Sequence, residues 1–375
     1  MPKKAEPVAE ESSDFKDRIS PALVIALGED LRAAWPDFPE DEFVERACDG
    51  LSDLEMKGRV IHVADALAAT LPVDFARSAK VIEKSLDSPR MDGWVVYCVD
   101  DYVARYGIDQ PEIALPLMAK LTPRWSCEFA IRPFIERHPD LTFEYFDRWI
   151  GSDDEHLRRL VSEGSRPRLP WGGHLKAFIA DPSPTIALLD RLVDDPSLYV
   201  RKSVANHLND IAKDHPELAI ETAQRWIDEG GEAGRRAWIV NHGMRSLIKA
   251  GDPAALKLVG YDHEAEVSIT SFSVAPQEIE IGEEVTIEFA LTATEPTPVM
   301  VDYAIHHAGS SGVRSAKVFK LKRLELEPGI ETAFIRKHRI REVSVRRIYP
   351  GPHLIEVQVN GRVLAAATVE VLETA

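Results

Sequence analysis

The sequence predicts a multidomain chain that is α first and β second: an α-helical repeat solenoid followed by an antiparallel β-sandwich. Three observations predict it. From about Asp14 to Leu258, apolar residues recur at helical spacing between short breaks at Pro and Gly, as in LRAAWPDFPEDEFVERACDGL. Inside that part, three twelve-residue stretches superimpose without gaps. From about Val267 onward, apolar and polar residues alternate in segments rich in Val, Ile and Thr.

Length agrees with a division, because 375 residues exceed what a single core usually serves. The opening, MPKKAEPVAEESSD, has no apolar stretch behind its lysines, so residues 1–13 are expected to be a disordered polar tail and not a secretory signal. No apolar run approaches the roughly 18 residues of a membrane span. A cytoplasmic monomer is expected, associated with the nucleoid when bound to DNA. Cys48, Cys98 and Cys127 are widely spaced and odd in number, which predicts thiols buried in the core and neither a disulfide framework nor a metal site. No cofactor is expected.

The helical domain is expected over residues 14–262. Its three repeated stretches are RWIGSDDEHLRR (148–159), RLVDDPSLYVRK (191–202) and RWIDEGGEAGRR (225–236). Each runs from the apolar end of one helix through an acidic or Gly-rich turn to a basic pair on the next: Arg158 with Arg159, Arg201 with Lys202, Arg235 with Arg236. A weaker fourth copy aligns Arg124 with Arg201. Helical hairpins of this length are HEAT-like, and their stacking presents a concave surface. The net charge of −17 argues against a polyanionic partner. Pairs aligned from repeat to repeat nevertheless predict a local track for phosphates.

The helix at roughly Ser197–Lys213 carries a packing stripe of Val200, Val204, Leu208 and Ile211. Ser203, Asn206, Asp210 and Lys213 fall on another face, with Lys202 and Asn209 at its edge, which reads as a solvated or DNA-facing surface. In LRRLVSEGSRPRLPWGGHL, Glu163 sits in the last turn of a helix that Gly164 is expected to end. Arg166 and Arg168 then bracket Pro167 in an expected exposed cationic loop ending at Trp171, suited to a polyanion with π surfaces. Arg132 stands four residues after Glu128, which predicts an ordinary ion pair between them.

The sandwich is expected over residues 263–375, with KLVGYDHEAE as linker and an immunoglobulin-like arrangement of strands. Between Arg314 and Arg347 it holds eleven Lys or Arg residues against four acids. That balance predicts either a second hold on DNA or a charged face protecting an edge strand. HHAGSSGVRS, with His306, His307 and Arg314, is the loop expected to enter a minor groove.

At CEFAIRPFI, RRLVSEGSRPRLPWG and YVRKSVANHLNDIAKDHPE the chain resembles the AlkD/AlkC superfamily of HEAT-like DNA alkylation-repair glycosylases. It is most similar to the AlkC branch, some of whose members carry an immunoglobulin-like domain after the repeats. The resemblance implies excision of cationic N3-alkylated bases, 3-methyladenine and 3-methylcytosine, from double-stranded DNA, leaving an abasic site. It implies Glu128, Glu163, Trp171 and Asp210 as the active site, and a lesion that stays stacked without being flipped. The sequence agrees with that last point only in lacking a base-pocket motif. Departure of a cationic base needs little acid catalysis, so carboxylates serve chiefly to stabilise the sugar cation and to orient water. The competing reading is a non-catalytic HEAT-like scaffold for DNA or protein, which needs none of the three carboxylates.

Overall fold

A computed structural model describes residues 15–230, 234–309, 312–313, 316–342 and 347–373. The expected tail, residues 1–13, lies outside them, as does Arg314. Two compact units divide the chain, residues 1–210 and 211–375.

In the first unit the helices are α1 (Pro21–Ala34), α2 (Glu40–Cys48), α3 (Met56–Thr70), α4 (Phe75–Ser85), α5 (Trp94–Tyr106), α6 (Pro111–Leu121), α7 (Arg132–Arg137), α8 (Pro139–Ile150), α9 (Glu155–Gly164), α10 (Lys176–Ala180) and α11 (Ser183–Leu192). Helix α12 (Leu198–Asp214) begins in this unit and ends in the next. The order of contacts is that of stacked hairpins, α1 on α2 and α4, α3 on α5, α8 on α9, and α9 on α11. The predicted stripe on α12 is buried at Val200, Val204, Leu208 and Ile211. Cys98 and Cys127 are buried thiols, and Cys48 is half-buried. Among the described residues no helix is long and apolar enough to cross a membrane.

The repeat has a common structural meaning. Each stretch spans a helix end, a turn and the next helix start: α8 to α9, α11 to α12, and α13 (Pro216–Asp228) to α14 (Arg235–Gly243). Part of the third turn, residues 231–233, lies outside the described residues. Arg158 donates from Nη1 to the carbonyls of Ser152 and Asp153 at 2.8 and 2.9 Å. Arg201 does the same, six and five residues back, to Asp195 and Pro196 at 2.6 and 2.8 Å. The recurring arginine therefore closes the turn before its own helix, satisfying carbonyls that the helix leaves unpaired. Arg124 likewise reaches the carbonyls of Leu86, Ser88 and Met91.

In the second unit, α13 and α14 are followed by α15 (Arg245–Ala250) and α16 (Pro253–Leu258), and then by strands β1 (Val267–Ala275), β2 (Glu278–Glu280), β3 (Glu284–Ala293), β4 (Thr297–His306), β5 (Ala308–Gly309), β6 (Gly312–Val313), β7 (Lys317–Leu326), β8 (Thr332–Arg339), β9 (Gly351–Val359) and β10 (Arg362–Leu372). One sheet has the order β1-β3-β8 and the other β2-β10-β9-β4-β7. Their inner faces share a core including Ile287, Phe289, Val301, Tyr303, Ile355 and Val357. Asn360 and Gly361, at φ 49° and 78°, form the two-residue turn between β9 and β10.

Helix gives way to strand between Leu258 and Val267, near the expected boundary, but compact packing divides the chain earlier, inside α12. Backbone contact explains why the last helices belong with the sandwich. A Cβ on Gly361 would lie 2.4 Å from the Cα of Gly251, so these two chain segments touch at glycines where no side chain fits.

Candidate active site

The functional side chains come from four places in the first unit: the turn before α7, the C-terminal half of α9, the loop after it, and one face of α12. The turn supplies Glu128. Residues 126–130 are not helical, so the helical geometry behind the expected Glu128–Arg132 pair does not form, and that expectation is corrected. Glu128 instead pairs with Arg159, whose guanidinium also donates to Ser126 Oγ at 2.8 Å.

Helix α9 places Arg159 and Glu163 one turn apart, with Nη2 and Oε1 3.4 Å from each other. A carboxylate at a helix C-terminus is opposed by the helix dipole. Three donors offset this: Arg159, Arg166 Nη1 at 2.7 Å, and the Ser203 hydroxyl at 2.6 Å. Gly164 is still helical, and its absent side chain serves packing, because a Cβ there would meet Ile131 Cγ2 at 2.5 Å. The helix ends at Gly164 as the sequence predicts, with Ser165 as its C-cap.

Arg166 is 6% exposed. It is the bridge between two carboxylates, donating to Glu163 and, from Nε, to Asp210 Oδ2 at 2.8 Å. The result is an alternating array, Glu128–Arg159–Glu163–Arg166–Asp210, with one more acid than base. For both Arg159 and Arg166, burial pulls the guanidinium pKa down, but the neighbouring carboxylates outweigh it and hold it above the ordinary value.

Helix α12 presents Ser203, His207 and Asp210 to the end of α9, so Ser203 and Asp210 of the face expected to be solvated or DNA-facing are docked and buried, while Lys202 and Lys213 at that face are exposed. With its proton on Glu163, Ser203 Oγ accepts from the Ser162 hydroxyl at 2.9 Å, and His207 Nδ1 lies 2.9 Å from the Ser162 carbonyl. That carbonyl accepts, so Nδ1 carries the proton. Burial pushes the His207 pKa down to about 4, which keeps the ring neutral.

The loop after α9 sets Trp171 in a left-handed conformation, φ 65°, and leaves it 81% exposed. Such backbone is unfavourable for a large side chain unless its surroundings enforce it. Arg132 enforces it, being 5% exposed and donating to the carbonyls of Gly164, Arg166 and Gly173. Without a carboxylate in contact, burial lowers its pKa to about 10.

Beside the array is a cavity of about 740 Å³, into which Glu128, Glu163 and Arg166 face. Its remaining wall is largely aromatic: Phe15, Trp94, Tyr97, Trp125, Phe129 and Trp171. The sequence holds no recognised pocket motif, yet the fold builds a pocket from residues scattered between positions 15 and 171. Trp94 and Tyr97 escaped sequence reasoning because a GWVVY run reads as core. In WSCEFAIRPF, the spacing of Trp125, Glu128 and Phe129 was the available signal.

The expected DNA contacts fare unequally. Lys202 and Lys213 are exposed, and Asn206, Arg168, Arg235 and Arg236 are half-buried. Arg158 and Arg201 close turns, Arg158 also pairing with Asp195 at 2.6 Å, and Arg159 and Arg166 are bound in the array. Asn209 is 4% exposed. Of the three basic pairs from which a phosphate track is expected, Arg158, Arg159 and Arg201 are thus engaged by carbonyls or carboxylates, and Lys202 is exposed. In the sandwich, His306 Nε2 is 3.1 Å from Glu356, while His307 is buried with Nδ1 3.1 Å from His353 Nδ1. His307 thus packs inside the domain, and Arg314 lies outside the described residues. Lys317, Lys320, Lys322, Arg323, Arg336, Lys337 and Arg339 are exposed on β7 and β8, both of which are sheet edges.

A model of DNA alkylation repair enzymes matches residues 122–239, and a model of the C-terminal Ig-like domain of the uncharacterised protein YhaZ matches residues 268–373. The chain is 33% identical over 352 residues to the uncharacterised protein YhaZ of Bacillus subtilis (strain 168), covering 94% of this chain and 97% of that one. The solved structure of Pseudomonas fluorescens alkylpurine DNA glycosylase AlkC, bound to DNA containing an abasic site analog, matches it with a TM-score of 0.87. That match is 38% identical and covers 95% of this chain and 99% of the other.

Proposed function

The chain belongs to the family of HEAT-like DNA alkylation-repair proteins that includes YhaZ and AlkC, and on that premise we propose that it is a monofunctional DNA glycosylase. It hydrolyses the N-glycosidic bond of cationic N3-alkylated bases, 3-methyladenine and 3-methylcytosine, in duplex DNA. The observation that carries this reading is the convergence of Glu128 and Glu163 on one cavity with Trp171, backed by Asp210 through Arg166.

In the reaction, the C–N bond breaks and the base leaves neutral, taking the bonding pair. Water adds to the sugar carbon and one proton is released. As the bond lengthens, positive charge moves onto the sugar. An array with one excess carboxylate favours that charge, and it needs no rearrangement because each acid is already held by an arginine. Glu128, half-buried at the cavity, is placed to orient or deprotonate the attacking water. Trp171 offers an exposed ring to the cationic nucleoside. Excision from a lesion that stays stacked is kept in the proposal on resemblance alone, since the cavity removes the argument from a missing pocket. Exposed basic residues on β7 and β8 and at Lys202 and Lys213 are assigned to the phosphates.

The test is release of 3-methyladenine and 3-methylcytosine from methylated duplex. Wild-type protein is expected to free both. Glu128→Gln and Asp210→Asn are expected to abolish release while duplex binding persists. Wild-type protein that binds methylated DNA and frees no base overturns the enzyme reading.

A further inference from the structure

Phe15 follows closely on the polar tail expected over residues 1–13, yet its ring lies at the cavity. It opens a single 3-10 turn, Phe15–Arg18, which leads through the buried Ile19 to Ser20, the N-cap of α1. So short a turn has few internal bonds with which to hold itself. Arg59 on α3 holds it. The Arg59 side chain is 5% exposed and pairs with Asp17 at 3.2 Å. Its guanidinium donates to the carbonyls of Lys16 and Ile19 at 3.0 and 2.9 Å, and to those of Leu54 and Ser52 at 2.9 and 3.2 Å. Lys16 adds a surface ion pair with Glu55 at 2.7 Å. A buried cation thus clasps the backbone of this N-terminal strap to the segment that enters α3.

The clasp fixes where the Phe15 ring goes. That ring packs edge-on against Trp94, with centroids 4.8 Å apart and 88° between planes, and meets Trp171 at 6.2 Å and 65°. Trp94 opens α5 and is itself set against Trp125 at 4.7 Å. Trp171 is the 81% exposed ring on the left-handed residue of the loop after α9. Arg132 holds that loop through the carbonyls of Gly164, Arg166 and Gly173. Bonds to carbonyls fix the backbone but leave the side-chain torsions of Trp171 to its neighbours. Phe15 joins its indole to the wall of the cavity.

We propose that Phe15 is a positioning residue for Trp171: the strap clasped by Arg59 sets an aromatic edge against the exposed indole and fixes the angle at which that ring meets the nucleoside. The role in excision rests on the glycosylase reading, whereas the effect on the ring does not. Edge-to-face pairs bias ring orientation by about tenfold beyond what buried area supplies. An indole that swings away from the reacting geometry lowers the rate without loosening the grip on phosphates.

The experiment compares single-turnover release of 3-methyladenine from methylated duplex by full-length variants. Phe15→Ala and Phe15→Leu are expected to slow release about tenfold with duplex affinity unchanged. Phe15→Tyr, which keeps the ring edge, is expected to restore the rate. Phe15→Leu retains apolar bulk in the strap and guards against loss of fold. In a Trp171→Ala background, Phe15→Leu is expected to cost nothing further, because a residue that acts through Trp171 has nothing left to position. The anisotropy decay of Trp171 emission, taken as the difference between chains with and without Trp171→Phe, follows the ring without requiring excision. Phe15→Leu is expected to speed its local rotation. Unchanged rotation, or the same slowing of release with and without Trp171, overturns the positioning role even where bases are excised. Faster rotation in a protein that excises nothing upholds the strap's hold on the ring while overturning the glycosylase.

Discussion

The junctions α8–α9 and α11–α12 carry the same sequence pattern and share half of a structure. At both, the first member of the basic pair, Arg158 or Arg201, folds back on carbonyls five and six residues earlier. The second members part company. Arg159 enters the carboxylate array and stacks over Tyr199 at 5.0 Å, whereas Lys202 points to solvent. The repeat therefore encodes a structural job at one position and leaves the next free to diverge, and the divergent position is the one at the site.

The largest effect on this comparison is expected from Arg159→Met, which removes the cation between two carboxylates. Base release should fall by roughly 10²–10³, the scale seen when a preorganised electrostatic group is lost. Lys202→Met should leave the excision rate on saturating DNA within about twofold. Equal losses in single-turnover assays would erase the distinction between the second positions.

Next comes stability. Arg158→Ala strands Asp195, whose side chain is 3% exposed, and is expected to destabilise by about 3 kcal/mol. Arg201→Ala loses only bonds to carbonyls and is expected to lose about 1 kcal/mol. Urea titration measures both, and reversed order would break the claim that the two arginines share the turn-closing role with Asp195 adding to one.

A pH effect of similar size follows from His207 on α12. Its folded pKa of about 4 lies below the ordinary 6.5, so between these values the unfolded chain holds a proton that the native one does not. Its contribution is complete above pH 6.5 and is lost as pH falls through 4, by up to about 3 kcal/mol. Arg166, Glu163 and Asp210 act on the same ring. His207→Gln should flatten the melting temperature across that window; an unaltered pH slope would show that the ring does not stay neutral. The smallest effect is on binding: Lys202→Met should lower the salt dependence of duplex affinity by about one counterion, and Arg201→Ala should not.

Much of the fold was legible locally. Helical periodicity and alternation in the strands are properties of neighbouring residues, and they predicted the α-then-β order and the stripe on α12; the Asn360–Gly361 turn inside HLIEVQVNGRVLAAATVEV went unread. The carboxylates were legible only through resemblance, because Glu128, Glu163 and Asp210 come from separate elements. Charge was the misleading signal. A cation near a helix start looks the same in sequence whether it faces phosphate or its own turn, and Arg158, Arg166 and Arg201 face protein.

By itself, the sequence determined where helices and strands form and that a repeat joins them, since hydrophobic spacing and turn chemistry act within a few residues. Tertiary structure alone decided which arginine meets which acid, that Ser203, His207 and Asp210 dock instead of facing water, and that six aromatic side chains close a cavity. The physical reason is distance along the chain: Arg166 and Asp210 are 44 residues apart, and only stacking of α12 on α9 brings them to 2.8 Å.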